Sequence, residues 1–289
     1  MNAVTDNLAY LKRVEGRLSA ARVRGARYEA ESLVRHYGRM DRLDLFTGRK
    51  ALTPGAKLSV ERALRARLLK RRPLQYILRE AGFCEQTLFV GPGALIPRPE
   101  TELLVEEADR LIGKMALKAP RVLDLGTGSG CIAVALTIRR PECRMTALDV
   151  SASALAVARK NLKNNGLQNK VRLVRGDLFK PFAGQRALWD LIVSNPPYIP
   201  SNEIRSLSRE VLAEPRVALD GGRGGLEVIR RILEQAPERL KSGGALLVEI
   251  GKGQARTLSR EAARSGVWKN ARFIKDLSGI ERILVLEKK

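Results

Sequence analysis

The chain has 289 residues, 44% hydrophobic and 29% charged, which is enough apolar material for one large domain or for a small one beside a medium one. No apolar run approaches the roughly 18–20 residues of a membrane span, and no sustained apolar stretch near the start marks a secretory leader. A net charge of +22, from 53 Lys and Arg against 31 Asp and Glu, favours acidic partners such as nucleic acid, ribosomal material or an acidic protein, and equally fits a solvated basic surface.

Residues 1 to about 85 read as short helices. Leu8, Leu11 and Leu18, then Leu33, Val34 and Tyr37, recur at helical spacing, with Gly38 as a stop. Thr53-Pro54 starts a helix with an N-cap hydroxyl and a proline in its first turn. That helix carries Val60, Ala63, Leu64 and Leu68 on one side and Arg62, Arg65, Arg67, Lys70, Arg71 and Arg72 elsewhere. Residues 1–85 hold 19 Lys and Arg against 9 Asp and Glu, the denser share of the positive charge. A helical substrate- or partner-binding domain is one reading; the wet face of a bundle is the other. Next, Thr87–Val90 and Ala94–Ile96 flank Gly91-Pro92-Gly93, which predicts a β-hairpin linker over residues 86–98. Pro99 then opens a helix whose first turn carries Glu100 and Glu102, where the positive helix end favours carboxylates.

Residues 99–289 alternate strand and helix. Strands are expected at 121–125, 144–150, 171–175, 189–193 and 245–250. Helices are expected at about 130–139, 151–165, 203–212, 225–241 and 253–265, with two last strands near 271–276 and 281–287. The alternation predicts an α/β fold with a doubly wound, mostly parallel sheet. The short Ser278-Gly279 link allows no crossover, so the last two strands should pair antiparallel.

Three strand ends carry candidate ligand-binding groups. Asp124-Leu125-Gly126-Thr127-Gly128-Ser129-Gly130 joins a strand to a helix, and its glycines permit close backbone approach by a ligand at a helix N-terminus. A dinucleotide fingerprint would need glycine where Cys131 stands. Asp149 ends the next strand, where a carboxylate can accept from both ribose hydroxyls, a role dehydrogenases share. Asp177 and Leu178 follow the third strand at a place suited to adenine, or else form an ordinary surface loop. A fourth strand end carries Asn195-Pro196-Pro197-Tyr198, a stiff turn in which the two prolines offer no N–H. The Asn195 amide and free carbonyls there can receive a planar –NH2 group, with Tyr198 packed against it; a plain proline loop is the alternative. His36, the single histidine, sits in a helical stretch, so the chemistry must proceed without a histidine base. Cys84, Cys131 and Cys143 are scattered and form neither a disulfide framework nor a metal pattern, as expected of reduced thiols in a cytoplasm.

The Gly-x-Gly-x-Gly spacing is like that of methyltransferases using S-adenosylmethionine, and Asn-Pro-Pro-Tyr is similar to the signature of those that methylate amide or exocyclic amino nitrogens. Over nearly its whole length the chain resembles the peptide chain release factor glutamine methyltransferases, the HemK/PrmC family. The resemblance rests on Arg72–Ile77, Leu95–Glu102, the glycine loop, Asn195–Ile199, Glu214–Arg216, Leu219–Gly222, and Glu249–Gly251 with Gln254. It implies a class I methyltransferase fold: a seven-stranded, Rossmann-like sheet with an antiparallel last strand, behind a small helical domain. It also implies S-adenosylmethionine as cofactor, held by Asp124, Gly126, Thr127, Gly128, Ser129, Gly130, Asp149, Asp177, Leu178 and Asn195. The implied reaction is methylation of the glutamine side-chain amide in the Gly-Gly-Gln motif of class I release factors. Asn195, Pro196, Pro197 and Tyr198 would be the catalytic and substrate-binding residues, and Arg98 a wall of the substrate site or a structural residue of the junction. Arg79 departs from the family, which usually has glycine there, and puts the local turn in doubt. A cytoplasmic monomer is expected, with ribosome or nucleic acid near the basic surface. An RNA or DNA amino-methyltransferase using the same tetrapeptide is the alternative enzyme, and a nucleic-acid-binding protein with a vestigial fold the non-enzymatic one.

Overall fold

The computed structural model describes residues 3–269 and 271–289. They form two compact units: one runs to Arg79 and takes in Arg209–Ala213, and the other comprises Glu80–Ser208 and Glu214–Lys289.

The first unit is helical, with α1 (Ala3–Ala20), α2 (Ala26–Gly38), α3 (Arg42–Thr47), α4 (Pro54–Lys70) and α5 (Leu74–Leu78). Its core joins Leu11, Leu18, Leu33, Val34, Val60 and Leu64, residues whose spacing predicts the helices. Thr53 caps α4 as expected, its hydroxyl accepting from the Ala56 N–H at 3.1 Å. Arg67 is not on a wet face. It is buried, donating to both oxygens of Glu29 at 2.7 and 2.9 Å and to Glu210 at 2.8 Å, and so ties the 209–213 segment to α2 and α4. Paired on both sides, the guanidinium loses water without becoming an isolated buried charge. Arg79 ends α5 at φ +64°, a left-handed conformation suited to glycine.

The second unit opens with a hairpin, β1 (Glu80–Phe83) paired antiparallel with β2 (Gln86–Phe89). The hairpin therefore lies at residues 80–89, not across 87–96 as the glycines suggest. Cys84 and Glu85 form its two-residue turn at φ +45° and +66°, a geometry usually announced by Asn-Gly and hidden here by the residue types. Gly93 instead presses against α8 (Ala152–Asn164): a β-carbon there would sit 2.9 Å from the Ser153 carbonyl. Asn161 of α8 clasps the end of β2, accepting from the Phe89 N–H at 2.7 Å and donating to the Phe89 carbonyl at 2.9 Å and the Ser129 carbonyl at 2.8 Å.

The other elements are α6 (Glu100–Lys114), β3 (Arg121–Leu125), α7 (Cys131–Arg139), β4 (Arg144–Asp149), β5 (Val171–Arg175), β6 (Trp189–Ser194), α9 (Glu227–Arg239), β7 (Leu240–Glu249), α10 (Ala255–Ser265), β8 (Arg272–Lys275) and β9 (Glu281–Glu287). The seven-stranded sheet has the order β5-β4-β3-β6-β7-β9-β8, parallel except for β9, which runs antiparallel to both neighbours. Alternation along the strands supplies two cores. Val122, Leu191, Val193 and Leu247 face the side of α6 and α7, while Leu123, Ile192, Leu246 and Val248 face α9 and α10. The helix expected over 203–212 is replaced by single 3-10 turns at Ile204–Ser206, Val211–Ala213 and Arg216–Ala218. Pro215 removes an N–H from this run, and the chain passes between the two units within it. Among the described residues no helix is long and apolar enough to cross a membrane.

Left-handed backbone strains a residue bearing a β-carbon, so Arg79→Gly should stabilise the protein by about 1 kcal/mol. The check is the melting temperature, which is expected to rise by a few degrees; a fall would show that the Arg79 side chain matters more than its backbone.

Candidate active site

The carboxyl ends of β3, β4, β5 and β6 surround a cavity of about 320 Å³. This is where the chain reverses its strand order, turning back from β5 across β3 to β6, and open parallel sheets place ligands at such points. The glycine loop enters at φ +78° for Gly126 and +56° for Gly128, and a β-carbon on Gly126 would meet nothing within 4 Å. That room faces the cavity. Gly130 does a different job and does not line it. At φ +79° it packs on α8, where a β-carbon would be 3.1 Å from that of Ala158.

Asp124 also stays outside the lining. Its carboxylate is wholly buried beneath the loop and accepts the Thr127 hydroxyl at 2.6 Å. It shapes the loop from below, and the sequence signal alone could not separate that from ligand contact. Burial pushes Asp124 up to about 7, with the neighbouring Asp149 charge adding to it. Asp149 does line the cavity. It accepts the Gly128 N–H and the Ser151 N–H at 2.8 Å each, one per oxygen, so both oxygens retain acceptor capacity for a ribose diol. Burial raises its pKa too. Asp177 and Leu178 line the far end. Asp177 is gripped by Lys180 at 2.9 Å and by Arg231 at 2.8 and 3.0 Å, and hydrogen bonds from these cations hold it below the usual carboxylate range. Arg231, from α9, carried no recognisable signal in the sequence. Leu178 sits at φ +49°, a strained backbone for leucine.

Asn195, Pro196 and Pro197 line the cavity beside the glycine loop, since β3 and β6 are sheet neighbours. The Asn195 side chain donates from Nδ2 to the Thr101 hydroxyl at 2.9 Å, and Thr101 donates in turn to Glu249 Oε2 at 2.7 Å. Tyr198 is not in the lining. Its ring packs against the core under α9, and its hydroxyl donates to Glu249 Oε1 at 3.2 Å. Thr101 and Glu249, each 1% exposed, stand in segments that carry the resemblance, but no site role could be read for them because only folding brings α6 and β7 together beneath Asn195. Burial pushes Glu249 up to about 7. Arg98 lines the cavity and pairs with Glu214 at 2.5 Å, while Glu214 also accepts the Ile96 N–H at 2.9 Å. Among the described residues, no group of His, Cys, Asp and Glu could hold a metal ion.

The raised Asp124 gives a signed pH dependence. Its proton is held more tightly when folded, so its stabilising contribution is full below the ordinary value of about 4 and is lost as pH rises through about 7. Asp124→Asn keeps the contact to Thr127 without the charge. Its melting temperature relative to the unmodified protein should climb from about pH 4 to about pH 7 and level off above; no climb across that window would contradict a strained buried carboxylate.

Residues 9–78 match the family model described as the PrmC N-terminal domain, and residues 100–228 match the methyltransferase small domain. The chain is 44% identical to the release factor glutamine methyltransferase of Geobacter sulfurreducens, covering 93% of this chain and 92% of the relative. With the same-named protein of Thermodesulfovibrio yellowstonii the identity is 38%, over 90% and 92%. Among solved structures, the human Mettl16 catalytic domain shares the fold at a TM-score of 0.55 and 17% identity, covering 90% of this chain and 89% of that one. The Thermus thermophilus 16S rRNA N2 G1207 methyltransferase, solved with S-adenosylmethionine, does so at 0.52 and 19%, covering 73% and 50%. The cofactor is S-adenosylmethionine, and the open glycine loop, the unsaturated Asp149 carboxylate and the apolar Leu178 end of the cavity fit its parts. With both of its regions matched and its length spanned by these relatives, the chain belongs to the release factor glutamine methyltransferase family.

Proposed function

We propose that the protein methylates the side-chain amide nitrogen (N5) of the glutamine in the Gly-Gly-Gln motif of class I peptide chain release factors, with Asn195 as the residue that receives that amide. The observation that carries this reading is the Asn195 amide at the cavity wall, on the strand beside the glycine loop, with its nitrogen already engaged by Thr101. Bound there, S-adenosylmethionine supplies an electrophilic methyl group. An amide nitrogen is a weak nucleophile because its lone pair is delocalised into the carbonyl. Asn195 Oδ1 accepts one of its N–H groups and the Pro196 carbonyl the other. Those two acceptors orient the nitrogen and stabilise the positive charge that grows on it. Pro196 and Pro197 have no N–H and cannot relax into strand geometry, so the acceptors are set before the substrate arrives. Afterwards the nitrogen is acidic and releases its proton to water, which makes a histidine base unnecessary. Tyr198 acts from behind, through Glu249. Asp149 takes the ribose hydroxyls, Asp177 and Leu178 the adenine, and Arg98 with Glu214 stiffens the wall.

The helical unit is the partner-binding module in this reading. Arg62, Arg72 and Arg79 line one basin with Tyr37, and no ion pair to these three arginines occurs among the described residues. A concave basic surface of this kind suits an acidic face of the release factor or nearby ribosomal RNA. A nucleobase substrate is disfavoured, because aromatic residues make up only 4% of the chain and base recognition relies on stacking.

Asn195→Ala should leave S-adenosylmethionine affinity nearly unchanged and lower turnover on intact release factor by roughly 10²-fold or more. Peptide mass spectrometry should place the methyl group on the glutamine amide; near-normal turnover, or label on RNA instead, would sink the assignment. Reversing the basin with Arg62→Glu, Arg72→Glu and Arg79→Glu together should raise KM for intact release factor while sparing a short Gly-Gly-Gln peptide. Equal effects on both substrates would argue against a docking role.

A further inference from the structure

We propose that Thr101 and Glu249 form a one-way hydrogen-bond relay that holds the Asn195 amide with its oxygen toward the cavity, which makes both of them positioning residues for the transfer. The inference rests on the reading of Asn195 as the substrate-amide acceptor. The two ends of an asparagine amide are nearly equal in size, so packing alone cannot choose between them; only a neighbour's hydrogen-bonding character can. The choice is made two residues away. An ionised carboxylate only accepts, and Glu249 receives Thr101 Oγ1 at 2.7 Å and the Tyr198 hydroxyl at 3.2 Å. Thr101 has one hydroxyl proton, and Glu249 takes it. Toward Asn195 the Thr101 oxygen can therefore only accept, and Nδ2 fills that place at 2.9 Å. The Asn195 oxygen is left for the cavity. Turned the other way, Asn195 would oppose its own –NH2 group to the –NH2 of the substrate, donor against donor.

Thr101 and Glu249 are each buried, so no water substitutes for a missing partner between them. Strand parity puts Glu249 on the sheet face that α6 covers, two residues beyond Leu247 in the core under that helix. The charged groups facing it are Glu100 from α6 and Arg282 from β9, with Arg282 already paired to Asp276 at 2.9 Å; Arg98 lies toward Tyr198. Among the described residues no cation is bonded to Glu249, so burial dominates and pushes it up to about 7. Protonation converts Glu249 into a donor. Thr101 can then turn its proton toward Asn195, and the amide loses its preferred direction. Turnover therefore falls as pH drops through about 7 and is full above it.

The test uses the full chain, intact release factor and labelled S-adenosylmethionine. Thr101→Val removes the hydroxyl at nearly constant shape and should lower kcat about 10- to 100-fold, with cofactor Kd and release-factor KM within a few-fold of the unmodified protein. Thr101→Ser restores the hydroxyl and should recover most of that loss. Glu249→Gln offers Thr101 an amide oxygen at every pH, so it should keep most turnover while losing the inflection near pH 7. Full turnover in Thr101→Val, no rescue by Thr101→Ser, or a persistent inflection in Glu249→Gln would each overturn the relay. Cofactor binding and melting temperature report whether each variant is folded, and should Thr101→Val fail to fold, the serine and glutamine variants decide alone. Full turnover in Asn195→Ala would overturn the underlying reading of Asn195. A severe loss in Asn195→Ala beside an unimpaired Thr101→Val would overturn the relay only.

Discussion

Two carboxylates, Asp124 and Glu249, are buried with no cation bonded to either among the described residues, and the geometry of the site depends on them. Burying such a group costs several kcal/mol unless hydrogen bonds compensate. Hydrogen bonds offset part of that cost, from the Thr127 hydroxyl and the Ala133 backbone N–H for Asp124 and from the Thr101 and Tyr198 hydroxyls for Glu249, and each carboxyl acts at one remove. Asp124 holds Thr127 and with it the glycine loop; Glu249 holds Thr101 and with it Asn195. They stand on β3 and β7, the two strands that flank β6, so the glycine loop and the Asn195 amide are braced from either side of one strand. A neutral core would be more stable, but it could not tell one end of an amide from the other.

Arginine is used for structure as well as for surface charge. Arg67 is sunk between Glu29 and Glu210, Arg231 fixes Asp177 at the cavity end, and Arg98 locks Glu214 into the wall. In each case a planar guanidinium with several donors joins segments distant in sequence, something a lysine point charge does less well. The large positive charge is therefore partly internal architecture, while Arg62, Arg72 and Arg79, which make no ion pair among the described residues, gather in one basin.

Where sequence reasoning and structure part, the cause is local and physical. The hairpin is shifted because Cys84 and Glu85 adopt left-handed geometry that their side chains do not advertise, while Gly93 serves close packing against Ser153 rather than a turn between strands. Residues 203–212 are expected to form a helix, yet they form single turns, and the chain passes from one unit to the other within them, between Ser208 and Arg209. Tyr198 belongs to the tetrapeptide in sequence but faces Glu249 instead of the cavity.

The order of strands and helices, the glycine loop, Asp149 and the Asn195 turn could all be read from the chain. They depend on local backbone chemistry: apolar alternation, the freedom of glycine and the rigidity of proline. Which of those residues line the cavity, and which hold others in place, was decided only by tertiary structure. Asp124 and Gly130 retreat beneath the loop, and Thr101, Asn161, Glu214, Arg231 and Glu249 arrive from elements far away in sequence. A hydrogen bond acts over about 3 Å, and no periodicity in a sequence records which distant side chains will come that close.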